Sequence, residues 1–148
     1  MGKIIAVLIL VSVNAVAQEA PKKATTIQVI TSDKLEEVFQ KYDKYLDDEG
    51  YIIRSKENLI SLQTSLKEKS FGPLSSYSVY VEYLLEFSQA EDKITVTITG
   101  NYADNGGMSK SKPIVNKGSP NFGVGLAWKI MNELAMRYPG GRISYITE

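Results

Sequence analysis

Two adjacent segments with alternating apolar residues constrain the fold of this chain more than any other feature. Residues 77–87 carry an apolar or aromatic side chain at every second position, and residues 94–102 repeat most of this pattern. Side chains alternate between the two faces of a strand, so each segment has one apolar face. The polar stretch Gln89–Asp92 predicts a turn between them. The predicted inward set is Tyr77, Val79, Val81, Tyr83, Leu85, Phe87, Ile94, Val96, Ile98 and Tyr102.

The first residues have the layout of a secretory signal peptide. Lys3 precedes an apolar run from Ile4 to Val13, and the small residues Ala15 and Ala17 fit a signal-peptidase site. The run is too short to span a bilayer stably, although a retained anchor is the alternative. We therefore expect cleavage after Ala17 and a periplasmic or secreted protein. The predicted organisation is a signal peptide at 1–17, a flexible leader at 18–24 and a single α+β domain at 25–148.

Composition argues against several classes of function. Seventeen basic residues balance seventeen acidic ones, so no excess positive charge favours nucleic acid or an anionic membrane surface. The chain has no cysteine and no histidine, which removes the thiol nucleophile, the common general base and most zinc sites. We therefore predict a protein that is not an enzyme, has no cofactor or metal, and does not insert stably in a membrane after cleavage.

The first third of the mature chain predicts a strand followed by a helix. Thr25–Ile30 alternates and is rich in β-branched residues, which favours a strand. Asp33 and Glu36 have the spacing of a capping box at a helix start, with Ser32 as the competing cap. The apolar stripe that follows has helical spacing, and Gly50 predicts the end of this helix.

The middle of the chain predicts two strands and a loop before the long hairpin. Tyr51–Ser55 reads as a short strand, and Leu59–Leu66 alternates again. Lys67–Ser76 contains a Gly-Pro pair and predicts an exposed loop. The predicted inward side chains of the second of these strands are Ile60, Leu62, Thr64 and Leu66.

The last third predicts a long irregular segment and a second helix. Ala103–Pro120 is rich in glycine and lysine, and loops of this length are either functional or disordered. Asn121 is the candidate cap of a helix in which Trp128 lies at the edge of the apolar stripe, and residues 143–146 predict either a short strand or an ordered tail. The predicted stripe is Leu126, Ala127, Ile130, Met131, Leu134, Ala135 and Tyr138.

Together these elements predict an α+β fold of order β-α-β-β-β-β-α. Short turns join most strands, so we expect one antiparallel sheet of five to six strands with both helices on its apolar face. The helix–glycine–strand passage YLDDEGYIIRSKENLISLQT resembles the start of small exported bacterial domains of unknown function with a TBP-like (helix-grip-like) fold, as in Bacteroidetes envelope proteins. The resemblance covers residues 27–138 and lies in element order. It implies this fold and an envelope setting, and it carries over no catalytic residue.

Three local patterns have a possible chemical reading beside a structural one. Glu82 and Glu86 share a strand face about 13 Å apart, too far for a glycosidase pair unless a neighbouring strand supplies a carboxylate. The acidic run 47–49 suggests calcium but lacks the required spacing, so a solvated helix end is the simpler interpretation. Residues 118–125, beside Lys117, suggest an anion site, or small residues that allow close packing.

The face of the hairpin opposite the apolar one is the candidate binding surface. Helices cover one side of such a sheet, so this face is expected to be open, hydroxyl-rich and punctuated by Tyr80 and Leu84. An ordinary solvated face is the alternative, since threonine is a good strand former. The candidate residues are Tyr80, Glu82, Leu84, Thr95, Thr97, Thr99 and Gln63, with Lys110, Lys112 and Lys117 on the loop.

These observations predict a non-enzymatic exported binding or assembly module of the bacterial envelope. Its partner would be an envelope protein, a peptide or a glycan, held by the open sheet face and the glycine-rich loop. A small-ligand carrier is the first alternative, with a cavity between the sheet and the C-terminal helix. Its predicted lining is Tyr83, Tyr102, Trp128 and Met131. A hydrolase that acts through carboxylates is the second alternative.

Overall fold

The computed structural model describes residues 19–72, 77–104, 110–118 and 123–148. These residues form a mixed α+β fold with two helices and an eight-stranded antiparallel sheet. The elements in chain order are β1 (Ala24–Thr31), α1 (Leu35–Asp48), β2 (Ile53–Glu57), β3 (Ser61–Thr64), β4 (Lys67–Phe71), β5 (Tyr77–Ala90), β6 (Lys93–Ala103), β7 (Lys112–Pro113), α2 (Gly123–Met136) and β8 (Arg142–Thr147). The predicted signal peptide and the predicted Asn121 cap lie outside the described residues.

The sheet contains more strands than predicted, and six of them form its main path. Their order is β2-β3-β5-β6-β1-β8, and every pairing is antiparallel. The short strands β4 and β7 lie off this path, on β5 and β6 respectively. The two extra strands lie in segments that were predicted as loops: residues 67–71 form β4, and residues 112–113 form β7.

The long hairpin predicted from alternation is confirmed. β6 pairs with β5 along its whole length, from Ala103 opposite Tyr80 to Lys93 opposite Ala90. The connection is tighter than predicted, because Ala90 still belongs to β5 and only two residues remain between the strands. Glu91 takes a positive φ of 55°, as tight hairpin turns often require.

Both helices pack against the apolar face of this hairpin and against each other. Phe39 of α1 lies 4.9 Å from Phe87 of β5, between ring centroids, and Tyr42 stacks on Tyr138 at 5.9 Å. The Tyr42 hydroxyl donates a hydrogen bond to the Ala135 carbonyl of α2 at 3.2 Å. The predicted stripe of the second helix is buried: Leu126, Ala127, Ile130, Met131, Leu134, Ala135 and Tyr138. In the described part of the chain, no helix is long and apolar enough to cross a membrane.

The start of α1 differs from the predicted capping box. Lys34 is the N-cap residue, and no side chain caps the helix. The Asp33 backbone N–H donates to the Thr31 hydroxyl at 3.2 Å, and the Asp33 carboxylate accepts a hydrogen bond from the Tyr138 hydroxyl. Ser32 accepts a hydrogen bond from Lys93 at 2.6 Å instead of capping the helix. The capping box is wrong because tertiary partners more than sixty residues away occupy both candidate side chains.

A one-residue register shift joins β3 to β4 along the same edge of β5. Gln63 lies opposite Leu84, whereas Lys67 lies opposite Val81, so one extra residue separates the two pairings. A bulge of this kind moves the side chains that follow it to the opposite face of the sheet. Leu62 and Thr64 are buried as predicted. The inward prediction is wrong for Ile60, which is 52% exposed in the β2–β3 turn, and for Leu66, which is 40% exposed in the bulge.

The bulge leaves a backbone donor that a side chain satisfies. The Tyr83 backbone N–H donates to the hydroxyl of buried Thr64 at 2.9 Å. We expect Thr64→Val, which keeps the shape and removes the acceptor, to lower the free energy of unfolding by about 2 kcal/mol in urea denaturation. Thr64→Ser retains the hydroxyl and loses one methyl group, a cost of about 1 kcal/mol. A valine variant as stable as the serine variant would contradict this role.

The C-terminal residues form a sheet strand rather than a tail. β8 pairs with β1 in antiparallel register, with Ile143 opposite Val29 and Tyr145 opposite Ile27. Trp128, predicted at the edge of the second helix, packs against Tyr145 with 6.1 Å between ring centroids. β8 therefore becomes one lateral edge of the sheet.

The segment before β1 is hydrogen-bonded to the irregular region after β6. The Asn116 side-chain amide donates to the carbonyls of Ala20 at 3.1 Å and Pro21 at 3.0 Å. The Asn116 backbone exchanges hydrogen bonds with Lys23 and Ala24, each at 2.8 Å. Residues 19–24, predicted as a flexible leader, thus lie against residues that were predicted as a long loop. Residues 105–109 and 119–120 of that loop lie outside the described residues.

Candidate functional site

The register of the sheet defines which side chains share the face opposite the helices. Leu84 of β5 lies opposite Gln63 of β3 on one side and opposite Thr99 of β6 on the other. Thr97 lies opposite Glu86 in the next row. Directly opposite residues in an antiparallel pair point to the same face, so these side chains form two adjacent rows. They are half-buried or exposed, whereas the alternate residues of β5 and β6 are mostly buried in the core.

A shallow cavity of about 270 Å³, the sheet groove, lies on this face. Its lining residues are Thr25, Thr26, Gln63, Glu82, Tyr83, Leu84, Thr99, Gly100, Asn101, Pro113, Ile114 and Glu148. Four predicted candidates, Gln63, Glu82, Leu84 and Thr99, therefore meet at one place. The volume is slightly below the range of pockets for drug-sized ligands, and it suits one side chain or one sugar ring.

The other predicted sheet-face residues lie outside the groove. Tyr80 lies opposite Glu68 of β4 and Ala103 of β6, beyond the groove along β5. Thr95 and Thr97 follow β6 in the other direction, toward the hairpin turn. All three candidates are half-buried on the same open face, so they flank the groove rather than line it.

The three predicted loop lysines do not line the groove. Lys110, Lys112 and Lys117 are exposed. Lys112 belongs to β7 opposite Tyr102, and its neighbour Pro113 contributes to the groove wall. The loop therefore reaches the groove through β7, and the residue that lines the groove is Pro113 and not one of the three lysines.

The sheet groove is negatively charged. Two carboxylates, Glu82 and Glu148, line it, and its described lining includes no lysine or arginine. The Asn101 side-chain amide donates to one Glu82 oxygen at 3.1 Å, which orients that carboxylate. The second Glu82 oxygen has acceptor capacity of its own, since an ionised carboxylate accepts several hydrogen bonds. The groove therefore favours a ligand group that is cationic or rich in hydrogen-bond donors.

A glycine allows the groove wall to form. A Cβ built on Gly100 would lie 2.8 Å from the Glu82 carbonyl and 2.9 Å from side-chain carbons of both Tyr83 and Ile114. The Ile114 backbone N–H donates to the Gly100 carbonyl at 2.9 Å, which ties the segment after β7 to β6. Sequence reasoning missed Gly100 and Ile114. The available signal was a glycine inside a strand, which often marks the close approach of another backbone.

The carboxylates of the groove differ from the pair considered in the sequence. Glu86 is exposed and lies outside the groove, whereas Glu148 shares the groove with Glu82. Among the described residues, no group of three or more Asp, Glu, His or Cys is placed to hold a metal ion. The acidic run 47–49 lies at the end of α1, where Glu49 instead pairs with Lys69 at 3.4 Å.

The residues predicted to line a carrier cavity do not share one of the cavities found in the described part of the chain. Met131 and Tyr83 are packed in the core, at 0% and 1% exposure. Tyr83 also lines the sheet groove, whereas Trp128 lines a separate pocket beside Asn116 and Lys129. Three of the four side chains are therefore distributed between the core and different surfaces.

Comparison with known proteins leaves the family of this chain open. No protein-family model matches the sequence, and no curated protein matches it. The sheet groove and the open face around it are therefore the features of this chain that bear on its function.

Proposed function

We propose that this protein is a non-enzymatic binding module that holds a peptide segment of a partner protein in the sheet groove. The observation that carries this proposal is the convergence of Gln63, Glu82, Leu84 and Thr99 on the face that the helices leave open. Polar groups arranged around an apolar side chain are typical of recognition surfaces. The flanking residue Tyr80 adds an aromatic contact on the same face, and aromatic residues are enriched in such surfaces.

The charge of the groove favours a basic side chain as the group that enters it. An arginine or lysine has an aliphatic stem that would lie on Leu84 and a cationic head that would reach Glu82. Gln63 and Thr99, on either side of Leu84, would accept further hydrogen bonds from the same guanidinium or ammonium group. A donor-rich glycan is the second candidate, since the same side chains recognise hydroxyl groups.

The setting that we propose is the bacterial envelope, after export and cleavage behind Ala17. The layout of residues 1–17 supports export. The resemblance of the helix–glycine–strand passage to exported TBP-like domains supports the same setting and a TBP-like fold. The element order β-α-β at the start of the chain agrees with that resemblance.

A matched pair of peptides tests the charge argument. We expect the acetylated and amidated peptide Gly-Arg-Gly to shift the backbone NMR signals of groove residues in the mature protein. The same peptide with citrulline, which is neutral and of equal shape, should bind about tenfold more weakly. Glu82→Gln should weaken arginine-peptide binding by about the same factor. Glu86→Gln changes a carboxylate on the same strand and face outside the groove, and should leave binding unchanged.

Three results would contradict the peptide proposal. Equal binding of the arginine and citrulline peptides would show that the Glu82 charge does not contribute to binding. Signal shifts confined to the helix side of the molecule would place the binding elsewhere. A neutral tetrasaccharide that shifts groove residues, while both peptides do not, would replace the peptide by a glycan.

A further inference from the structure

The two lateral edges of the sheet differ in how well they resist pairing with another strand. β2 forms one edge, and four of its five residues are exposed, including Arg54, Lys56 and Glu57. Its pairing with β3 also has a register shift between Ile53 and Ser55. Charged side chains and irregular pairing are the features by which natural sheets protect an edge from further strands. β2 is therefore a protected edge.

β8 forms the opposite edge and is less protected, because its one charged residue, Arg142, lies at its start. The register shift in its pairing with β1 is confined to the other end of β8, between Ala24 and Thr26. Its central residues Ile143–Ile146 carry no charge, and β8 contains no proline or lysine. Its pairing with β1 is regular from Thr26 to Ile30. On its other side, β8 pairs with no strand in the described part of the chain. A regular, uncharged edge strand presents free backbone donors and acceptors to a partner strand.

Exposed apolar side chains lie beside the β8 edge on both faces of the sheet. Ile146, on the open face, is 39% exposed, and Met136 of α2 is 56% exposed. Tyr145 of β8 donates a hydrogen bond to the Asn132 side chain at 2.9 Å, and the Asn132 amide contacts the Met136 sulfur at 3.8 Å. Met136 therefore lies on the helix side near β8. An apolar contact on each side of a free edge favours a protein partner.

We propose that β8 pairs with β8 of a second copy of this chain, in an antiparallel arrangement about a two-fold axis. In the register that we propose, Tyr145 lies opposite Tyr145 of the second copy, and Ser144 lies opposite Ile146. Arg142 of each copy then lies opposite Glu148 of the other, so two ion pairs form symmetrically. Because the edge is self-complementary in charge, a second copy of this chain is the partner that fits it.

The alternative symmetric register forms no ion pair between Arg142 and Glu148. A two-fold axis at Ser144 would place Arg142 opposite Ile146 and leave Glu148 without a charge partner. In the proposed register the two sheets join into one continuous sheet, with all four helices on one side. The open faces with their sheet grooves then lie side by side. Because Glu148 also lines the groove, its pairing leaves Glu82 as the carboxylate that faces a ligand there.

The interface is small, so the dimer is expected to be weak. One strand pair with two apolar contacts per copy falls at the low end of specific interfaces, which bury at least about 1,200 Å² in total. We expect a dissociation constant on the order of 10–100 µM. Sedimentation velocity of the mature protein between 5 and 500 µM should then show a monomer–dimer equilibrium.

A charge-reversal experiment tests the register. Arg142→Glu places two acidic side chains opposite each other at both ends of the interface and should weaken dimerisation at least about tenfold. The double variant Arg142→Glu with Glu148→Arg restores opposite charges and should return the dissociation constant to within about threefold of the original. Arg54→Glu, on the β2 edge, is the control and should have no effect. Circular dichroism of each variant checks that the fold is retained.

Three results would overturn the proposal. A monomer at 500 µM would exclude the dimer, and an Arg142→Glu variant that dimerises normally would exclude the register. Loss of the dimer in both the single and the double variant, with the fold retained, would show that opposite charges at these positions do not hold it together.

Discussion

The free energy of unfolding is expected to fall steeply above pH 10 and to decrease by at least about 4 kcal/mol per pH unit above pH 11, the contribution of three buried tyrosine hydroxyls. Burial raises the pKa of the Tyr42, Tyr51 and Tyr83 hydroxyls above the usual tyrosine value, with a smaller contribution at Tyr42 from the nearby Tyr138. These hydroxyls stay protonated in the folded protein at pH values where they ionise in the unfolded chain. The unfolded state then binds fewer protons, so stability is complete below about pH 10 and is lost as the pH rises.

Urea denaturation at several pH values between 8 and 11.5 measures this slope. Each of the three groups contributes about 1.4 kcal/mol per pH unit once it is ionised in the unfolded chain. Tyr42→Phe removes one of them and should reduce the slope by that amount. Its stability at pH 8 should also fall by about 1 kcal/mol, because the hydrogen bond to the Ala135 carbonyl is lost.

Tyrosinate absorbance provides an independent check of the same prediction. The chain has nine tyrosines, and the buried ones should ionise only as the protein unfolds. Part of the absorbance change should therefore coincide with loss of the circular dichroism signal. A complete change with the fold still intact would show that the buried hydroxyls ionise in place and would contradict the prediction.

Gly100→Ala is expected to lower the free energy of unfolding by about 3 kcal/mol, the upper end for an added methyl group in a packed region. The new Cβ would lie 2.8 Å from the Glu82 carbonyl, and that backbone atom is held by the β5–β6 pairing. Contacts of 2.9 Å with Tyr83 and Ile114 add to the strain. The strand pair must move apart, which would also displace Glu82 in the sheet groove.

The matched control for this variant is the preceding residue. Thr99→Ala changes a half-buried side chain on the opposite face of β6 and should cost less than about 1 kcal/mol. Chemical denaturation of both variants compares the two costs. The Gly100→Ala variant should in addition bind the arginine peptide more weakly than the unmodified protein. Equal stability of the two variants would show that β5 and β7 yield easily around Gly100.

Much of the sheet follows from local alternation in the sequence. A period of two identifies the strands β5 and β6 and their core face without any knowledge of partners, because burial of one face imposes it. Helical spacing identifies the buried stripe of α2 in the same way. The open face, with Leu84 and Thr99 on it, follows from these patterns alone. The binding role of that face stays a prediction.

Only the tertiary structure decided which strands are neighbours and where the alternation breaks. The bulge between Thr64 and Lys67 depends on pairing with β5, and residues 67–71 become a strand because β5 offers a free edge there. The Asp33 carboxylate accepts a hydrogen bond from Tyr138, which lies 105 residues away in the sequence. A local capping preference therefore did not determine the partner of this side chain. The groove likewise depends on a long-range contact, in which the Ile114 backbone N–H binds the Gly100 carbonyl. Alternation in the sequence indicates which side chains are buried. Strand register, bulges and long-range hydrogen bonds depend instead on distant residues that compete for the same backbone and side-chain groups, so a local pattern does not determine them.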